Sequence, residues 1–361
     1  MSTLILQSKL LRSRHTVPNL LIIFHSPPEL LPTLLFISLA CGGYHFLFGH
    51  ITKSGGGALL AAQCPPNPGP YNVRYVGLRP VDNFLCLLVA FFQTNMGESA
   101  TIPFSGDFLA SIATPVALTF IEPSRSGHSV AVSFPLTLGV LYQTKGGGVG
   151  FPLFWLALIL SGHHRLARGA ARIDQAKAEA ALFAVLVGYA LPTVLLFTLQ
   201  DPMVTALWQF FPLWMWAAKV GHLFFRPSSR HNTSGYWTVQ ATFIFTFVMS
   251  AIPHIAALWM TEGDPKLLKY LYVPPISPPD PATTTLHSAT HVFFQWDAVF
   301  MLGSSLLGTL WFASGAKQAV LIALWDVVAS VVVGPGAALS GVLLWREWRL
   351  NGAPEDASKK Q

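Results

Sequence analysis

Apolar residues run through this chain in long stretches, broken by short polar, glycine-rich or proline-rich segments. That spacing predicts helices of about bilayer length rather than strands. A spanning helix takes about 20 mostly apolar residues, within a range of about 17 to 25. Residues 31–49 meet this measure, and a Gly- and Pro-rich loop over 55–70 follows. Residues 81–97 and 107–122 form a pair around the polar turn 98–107. Residues 129–144 and 149–163 are shorter and hinge on Gly146-Gly147-Gly148, so they read either as tilted helices or as half-helices that stop inside the bilayer. Residues 178–199, 203–225 and 237–260 are the clearest spans, and 291–313 and 318–345 complete the set. The pattern predicts an all-α fold, a polytopic transmembrane helix bundle of seven to nine spans. It divides into an N-terminal arm (1–30), one transmembrane helical domain (31–345) and a polar C-terminal tail (346–361).

Composition strengthens this reading. Of 361 residues 52% are hydrophobic and 11% charged, against about 25% charged in soluble domains. The net charge of +6 is spread over connecting segments, which argues against a nucleic-acid surface and for charges that orient a membrane protein. Arg165, Arg168, Arg172 and Lys177 place the loop 163–177 in the cytoplasm, with Arg226 and Arg230; the Pro-rich loop 261–290 then faces the lumen of the endoplasmic reticulum. Arg346, Arg349, Lys359 and Lys360 conflict with that count. Either a segment is miscounted or Gly334-Pro335-Gly336 breaks the last helix. Cys41, Cys64 and Cys86 have no metal or redox spacing, and a disulfide framework is not expected.

Candidate chemistry rests on isolated acids, because an acid among apolar residues is costly unless it meets water, a partner or a substrate. An antiparallel hairpin of 81–97 and 107–122 would bring Asp82 and Glu122 to one end, with Glu98 and Asp107 at the other. Asp82 suits a first-turn acid. Glu122 ends its helix, where the dipole opposes a carboxylate, and Arg125 lies three residues on to compensate it. Asp297 is the strongest single acid, set after Gln295 and Trp296 in an apolar, aromatic run; Asp326 is similar and lacks an obvious partner. Gln143 borders either a cavity at the three glycines or a plain turn. His254 follows Pro253, which frees backbone carbonyls within a helix. The catalytic candidates are therefore Glu122, Asp82 and Asp297, with Arg125, Gln143, His254 and Trp296 in support. His163-His164-Arg165 reads as structural.

The sequence lacks a DDxxD-like cluster, HExxH, G-x-S-x-G and GxGxxG, so no metal and no cofactor are expected. What remains is isolated carboxylates with 26 Phe, 11 Trp and 8 Tyr. Such a set suits an apolar substrate that is protonated and then stabilised as a cation, since a buried neutral carboxyl donates a proton and aromatic faces attract positive charge.

The phrases PVDNFLCLLVAFF, IEPSRSGH, LYQTKGGGVGFPLFW, LWQFFPLWMW and FFQWD, in this order between Arg79 and Trp311, resemble fungal integral-membrane proteins of meroterpenoid gene clusters. These are similar to the terpene cyclases of the macrophorin and ascofuranone pathways. The resemblance implies cyclisation of a farnesyl chain on an aromatic or quinone head group, begun by protonating an epoxide or alkene, an isomerase- or lyase-type reaction without magnesium. It carries the acidic role only onto Asp82, Glu122 and Asp297, with Arg125 and Gln143 as neighbours. The expected partners are a hydrophobic prenylated small molecule and the lipid bilayer, with no nucleic acid and no obligate protein. A transporter of a hydrophobic secondary metabolite, and a structural or sensing membrane protein, are the competing readings.

Overall fold

The computed structural model describes residues 29–127, 129, 132–166 and 171–351. The expected arm up to residue 28, Arg168, and the tail beyond residue 351 lie outside them. The helices are α1 (Leu30–Lys53), α2 (Gly56–Ala61), α3 (Arg79–Met96), α4 (Ile102–Ile121), α5 (Pro135–Lys145), α6 (Gly147–Leu160), α7 (Gln175–Val185), α8 (Leu191–Leu199), α9 (Pro202–Trp208), α10 (Phe211–Phe225), α11 (Tyr236–Met260), α12 (Pro265–Tyr272), α13 (Leu286–Thr309), α14 (Ala316–Val332) and α15 (Pro335–Asn351). No strand occurs among the described residues; isolated bridges join Arg125 to Ile173 and Asp174 to Ser234.

Helix α4 is the axis, buried almost without interruption from Phe104 to Ile121 and packed against α11 and α15. Small hydroxylated residues let these backbones approach and cross-link them. Ser111 Oγ lies 2.9 Å from Ser250 Oγ, and the Thr114 hydroxyl donates to the Gly336 carbonyl at 3.0 Å and pairs with Ser340 Oγ at 2.7 Å. Helix α3 packs more extensively on α9 and α13 than on α4, so the two helices of the expected hairpin part company after their turn.

Among the described residues four helices are long and apolar enough to cross a membrane: Leu30–Lys53, Ile102–Ser124, Gln175–Leu199, in which a π turn joins α7 to α8, and Tyr236–Met260. That is fewer than the seven to nine expected. Most of the other apolar runs are cut into shorter helices, at Gly146, at Asp201-Pro202, at Phe210 and at Gly334-Pro335, whereas α3 and α13, with 18 and 24 residues, are long enough but not apolar enough. The break at Gly334, where φ is +93°, returns α15 along α14 and carries Arg346 into the interior. On α11 the residues Ile244, Val248, Ile252, Ile255 and Trp259 are exposed at helical spacing, and on α14 Val320, Leu324, Val327, Val328 and Val331 are exposed. Such contiguous apolar stripes suit hydrocarbon rather than water.

The pair α5 and α6 forms two short helices. They have 11 and 14 residues, about 16 and 21 Å at about 1.5 Å per residue, against a hydrocarbon core of about 30 Å. The chain reverses at Gly146, whose φ of +85° suits glycine, and Tyr142 stacks on Phe151 at 5.5 Å between the two arms. The tip lies deep: a Cβ on Gly43 of α1 would stand 2.3 Å from the Gly148 carbonyl oxygen.

Cys64 and Cys86 are joined by a disulfide, with Cα atoms 5.8 Å apart, which corrects the expectation that none forms. Their separation of 22 residues matches no motif, but the loop after α2 folds back over α3 and closes the distance. Cys41 is free and exposed.

Candidate active site

The tip of the α5–α6 hairpin ends on a cavity of about 310 Å³. The walls come from the C-terminal end of α1, from α2 and α3, from the first half of α4, from the junction of α9 and α10, and from α13. Aromatic rings dominate them; those of Phe91, Phe92 and Phe108 meet Phe294 edge to face, the geometry their quadrupoles favour, and the pair of Phe92 and Trp208 is tilted. Phe91 lies 4.9 Å from Phe294, Phe92 lies 5.2 Å from Phe294 and 5.0 Å from Trp208, and Phe108 lies 5.5 Å from Phe294.

Polar groups enter this apolar wall at one place. Asp297 on α13 is half-buried and lines the cavity, and its Oδ1 accepts the backbone N–H of Gly148 at 2.7 Å. The first N–H groups of a helix have no partner within it, so the start of α6 supplies a donor to the carboxyl without any side chain. Gln143 and Thr144, on the last turn of α5, line the same cavity. The Gln143 amide nitrogen donates to the Gln209 carbonyl at 2.7 Å. The structure thus brings together Asp297 and Gln143.

Glu122 and Arg125 are also together, but elsewhere. Both are fully buried, as are Arg346, Glu347 and His163. Glu122 Oε1 accepts from Arg125 at 2.9 Å and from Arg346 at 2.7 Å, and its Oε2 accepts from Arg346 at 3.3 Å and lies 3.3 Å from His163 Nδ1. Arg125 also donates to both oxygens of Glu347, one at 3.3 Å, and to the Ala171 carbonyl at 3.1 Å. Arg346 stacks over Phe312, 4.2 Å from the ring centre. Burial disfavours the Arg125 charge, but Glu122 and Glu347 outweigh it and hold its pKa above the usual arginine value. This alternation of acids and guanidiniums ties α15 to the end of α4 and to the segment after α6. None of its members lines the aromatic cavity.

The other expected residues are dispersed. Asp82 accepts the backbone N–H groups of Val76 at 2.7 Å and Gly77 at 3.1 Å, so it orders the loop before α3, and among the described residues it shares no hydrogen-bond partner with Glu122. His254 Nδ1 lies 2.7 Å from Asp107 Oδ2, which also accepts from the Tyr272 hydroxyl at 2.9 Å; Ser111 donates to Asp107 Oδ1 at 3.4 Å. This buried cluster joins α4, α11 and α12 and does not line the cavity. Trp296 faces α1, 4.1 Å from the Phe46 ring, and donates to the Pro275 carbonyl at 3.2 Å. Asp326 is buried and accepts from Thr309 at 2.9 Å.

Sequence reasoning missed Gln209, Asp107, Arg346 and Glu347 as site or network residues. Three of them carried a signal. Arg346-Glu347 interrupts the apolar run LLWREWRL, and Asp107 has Ser111 one turn on. Gln209 sits among aromatics in LWQFFPLWMW, and nothing local sets it apart.

A model of the CtvD domain matches residues 31–349, most of the chain. The chain belongs to the CtvD-domain family. Among curated proteins this CtvD domain is 26% identical to terpene cyclase ascI of Acremonium egyptiacum, over 80% of this chain and 84% of that protein. It is also 26% identical to FAD-dependent monooxygenase verC1 of Penicillium polonicum, over 83% of this chain but 39% of the relative, so the CtvD domain spans about two fifths of that longer protein. No solved structure matches. The resemblance to fungal meroterpenoid cyclases read from the five phrases is thereby upheld.

Proposed function

We propose that this chain is a multi-pass membrane terpene cyclase of the endoplasmic reticulum, acting without metal on a farnesylated aromatic or quinone intermediate of fungal meroterpenoid synthesis. The observation that carries the reading is the placement of Asp297 in the aromatic cavity, pinned at Oδ1 by Gly148. The similarity to a terpene cyclase over most of both chains supports the reaction class.

In this reading the Asp297 carboxyl gives its proton to the epoxide oxygen of the terminal isoprene unit. The C–O bond opens, the oxygen becomes a hydroxyl, and a tertiary cation forms. The faces of Phe91, Phe92, Phe294 and Trp208 stabilise that charge as successive alkene electron pairs close the rings. Loss of a proton from the carbon beside the final cation leaves an alkene, and the proton restores the carboxyl. The net change is an isomerisation, so no oxidant and no leaving group are needed. A terminal alkene would be protonated at carbon by the same group.

The test is incubation of microsomes bearing the chain with farnesylated phenolic epoxides, reading product mass and retention. A product of unchanged mass and altered retention is expected, and Asp297→Asn is expected to abolish it at equal membrane yield. Unchanged substrate with the wild type, or full turnover by Asp297→Asn, would refute the assignment.

A further inference from the structure

Beside the reaction cavity lies a second, smaller one of about 220 Å³ between α3, α5 and α10. Its wall is aliphatic for the most part, with Val81, Leu85, Leu136, Val140 and Leu213, and it contains no acid among the described residues. Both cavities are lined by Phe84, Leu88, Gln143, Thr144 and Gln209, which makes these five the partition between them.

The partition carries an unfinished hydrogen-bond arrangement. Gln143 uses its amide nitrogen on the Gln209 backbone carbonyl, which fixes the last turn of α5 against the break before α10. Gln209 is only 6% exposed, and its own side-chain nitrogen has no hydrogen-bond partner among the described residues. A buried amide donor without an acceptor is costly, and such groups persist where a ligand or a water completes them. Here the unpaired donor stands between a chamber lined by an acid and many aromatic rings and one lined mainly by aliphatic side chains, with Phe84 and Phe210 as its rings. The reacting prenyl chain needs the first. A part of the substrate that does not react fits the second.

Resting on the cyclase reading, we propose that the Gln209 side-chain nitrogen donates a hydrogen bond to an oxygen on the substrate's head group, a phenol or quinone oxygen next to the prenyl attachment. The chain then extends into the aromatic cavity toward Asp297, and the apolar remainder of the head group occupies the second chamber. Gln143 is a positioning residue, acting through Gln209. Discrimination between head groups thereby resides at the partition, away from the proton donor.

Binding without turnover tests this. A farnesylated phenol and farnesylbenzene, which has the same chain and no oxygen, are titrated into the full chain in detergent and followed by tryptophan fluorescence. The wild type is expected to bind the phenol roughly tenfold more tightly, the weight of about one buried hydrogen bond. Gln209→Met and Gln209→Leu are expected to bind both probes equally and to melt at or above the wild-type temperature, because each deletes an unsatisfied donor. Leu213→Trp, which fills the second chamber, is expected to weaken both probes alike. A wild type that does not discriminate overturns the proposal whether or not the variants fold. Retained discrimination in Gln209→Met overturns it too, and leaves the amide to a bound water. Discrimination with no turnover of the epoxide refutes the cyclase reading and leaves Gln209 assigned, whereas turnover without discrimination does the reverse.

Discussion

Gly148 donates its backbone N–H to Asp297 Oδ1 across 2.7 Å, which ties the tip of a hairpin too short to cross the bundle to the acid of the aromatic cavity. The contact depends on glycine. A side chain at the tip would separate the start of α6 from the carboxyl, and the donor that orients Asp297 would be lost.

Gly146→Ala tests that dependence. Its φ is +85°, and a Cβ there would stand 2.9 Å from Asp297 Oδ1. Strain of this kind costs about 1–3 kcal/mol. The variant is expected to melt at a lower temperature in detergent and to lose turnover with it. Wild-type melting and turnover together would show that the tip tolerates a side chain and that the contact is incidental.

Asp297→Asn separates chemistry from packing. The amide keeps an oxygen to accept the Gly148 N–H but has no acidic proton. Turnover is expected to fall by at least 10²-fold or so, the usual weight of general acid catalysis, with thermal stability within about 0.5 kcal/mol of wild type, the ordinary scatter of a benign substitution. A variant that unfolds instead would give the residue a structural role.

Glu122→Gln addresses the buried ionic network. Breaking a buried pair leaves uncompensated charge and costs about 3–5 kcal/mol. Loss of folded protein in the membrane is expected, with residual folded protein turning over normally. Adding Arg346→Met should recover part of the stability, because the uncompensated guanidinium is then gone. Stable protein with no turnover in Glu122→Gln would return Glu122 to the catalytic list.

The aromatic wall and its neighbour on α13 should respond differently. Phe294→Leu removes a ring that faces the cavity, and loss of about 2 kcal/mol of cation stabilisation corresponds to roughly a 30-fold fall in turnover. Trp296→Phe changes a ring that faces α1, and turnover within about threefold of wild type, under 1 kcal/mol, is expected. Equal effects of the two would contradict the assignment of faces.

Cys64→Ser should change migration on a non-reducing gel against a reduced control and lower stability by about 3 kcal/mol, the scale for a closed loop of this length. Identical thiol labelling of wild type and variant would show that the bond is absent in the membrane-inserted chain.

The sequence by itself determined the all-helical, apolar character of this protein and the family it belongs to. Period and composition, with 52% hydrophobic and 11% charged residues, dictate apolar helices, because burying backbone polar groups in hydrocarbon leaves a helix as the simplest way to satisfy them. The family was legible in short phrases, and Asp297 and Gln143 were legible as polar residues where apolar ones are the rule. What only the tertiary structure decided were partners far apart in the chain. Glu122 and Arg125 read as an arranged pair because they are three residues apart, but Arg346 and Glu347, more than two hundred residues on, turn them into a structural network. His254 and Trp296 point away from the cavity because a helix assigns each residue its own direction, and only packing shows which direction is the site. The disulfide and the Gln209 donor were equally hidden. Each depends on a loop or a helix break folding back onto a distant element, and no local pattern of residues encodes where such a segment comes to rest.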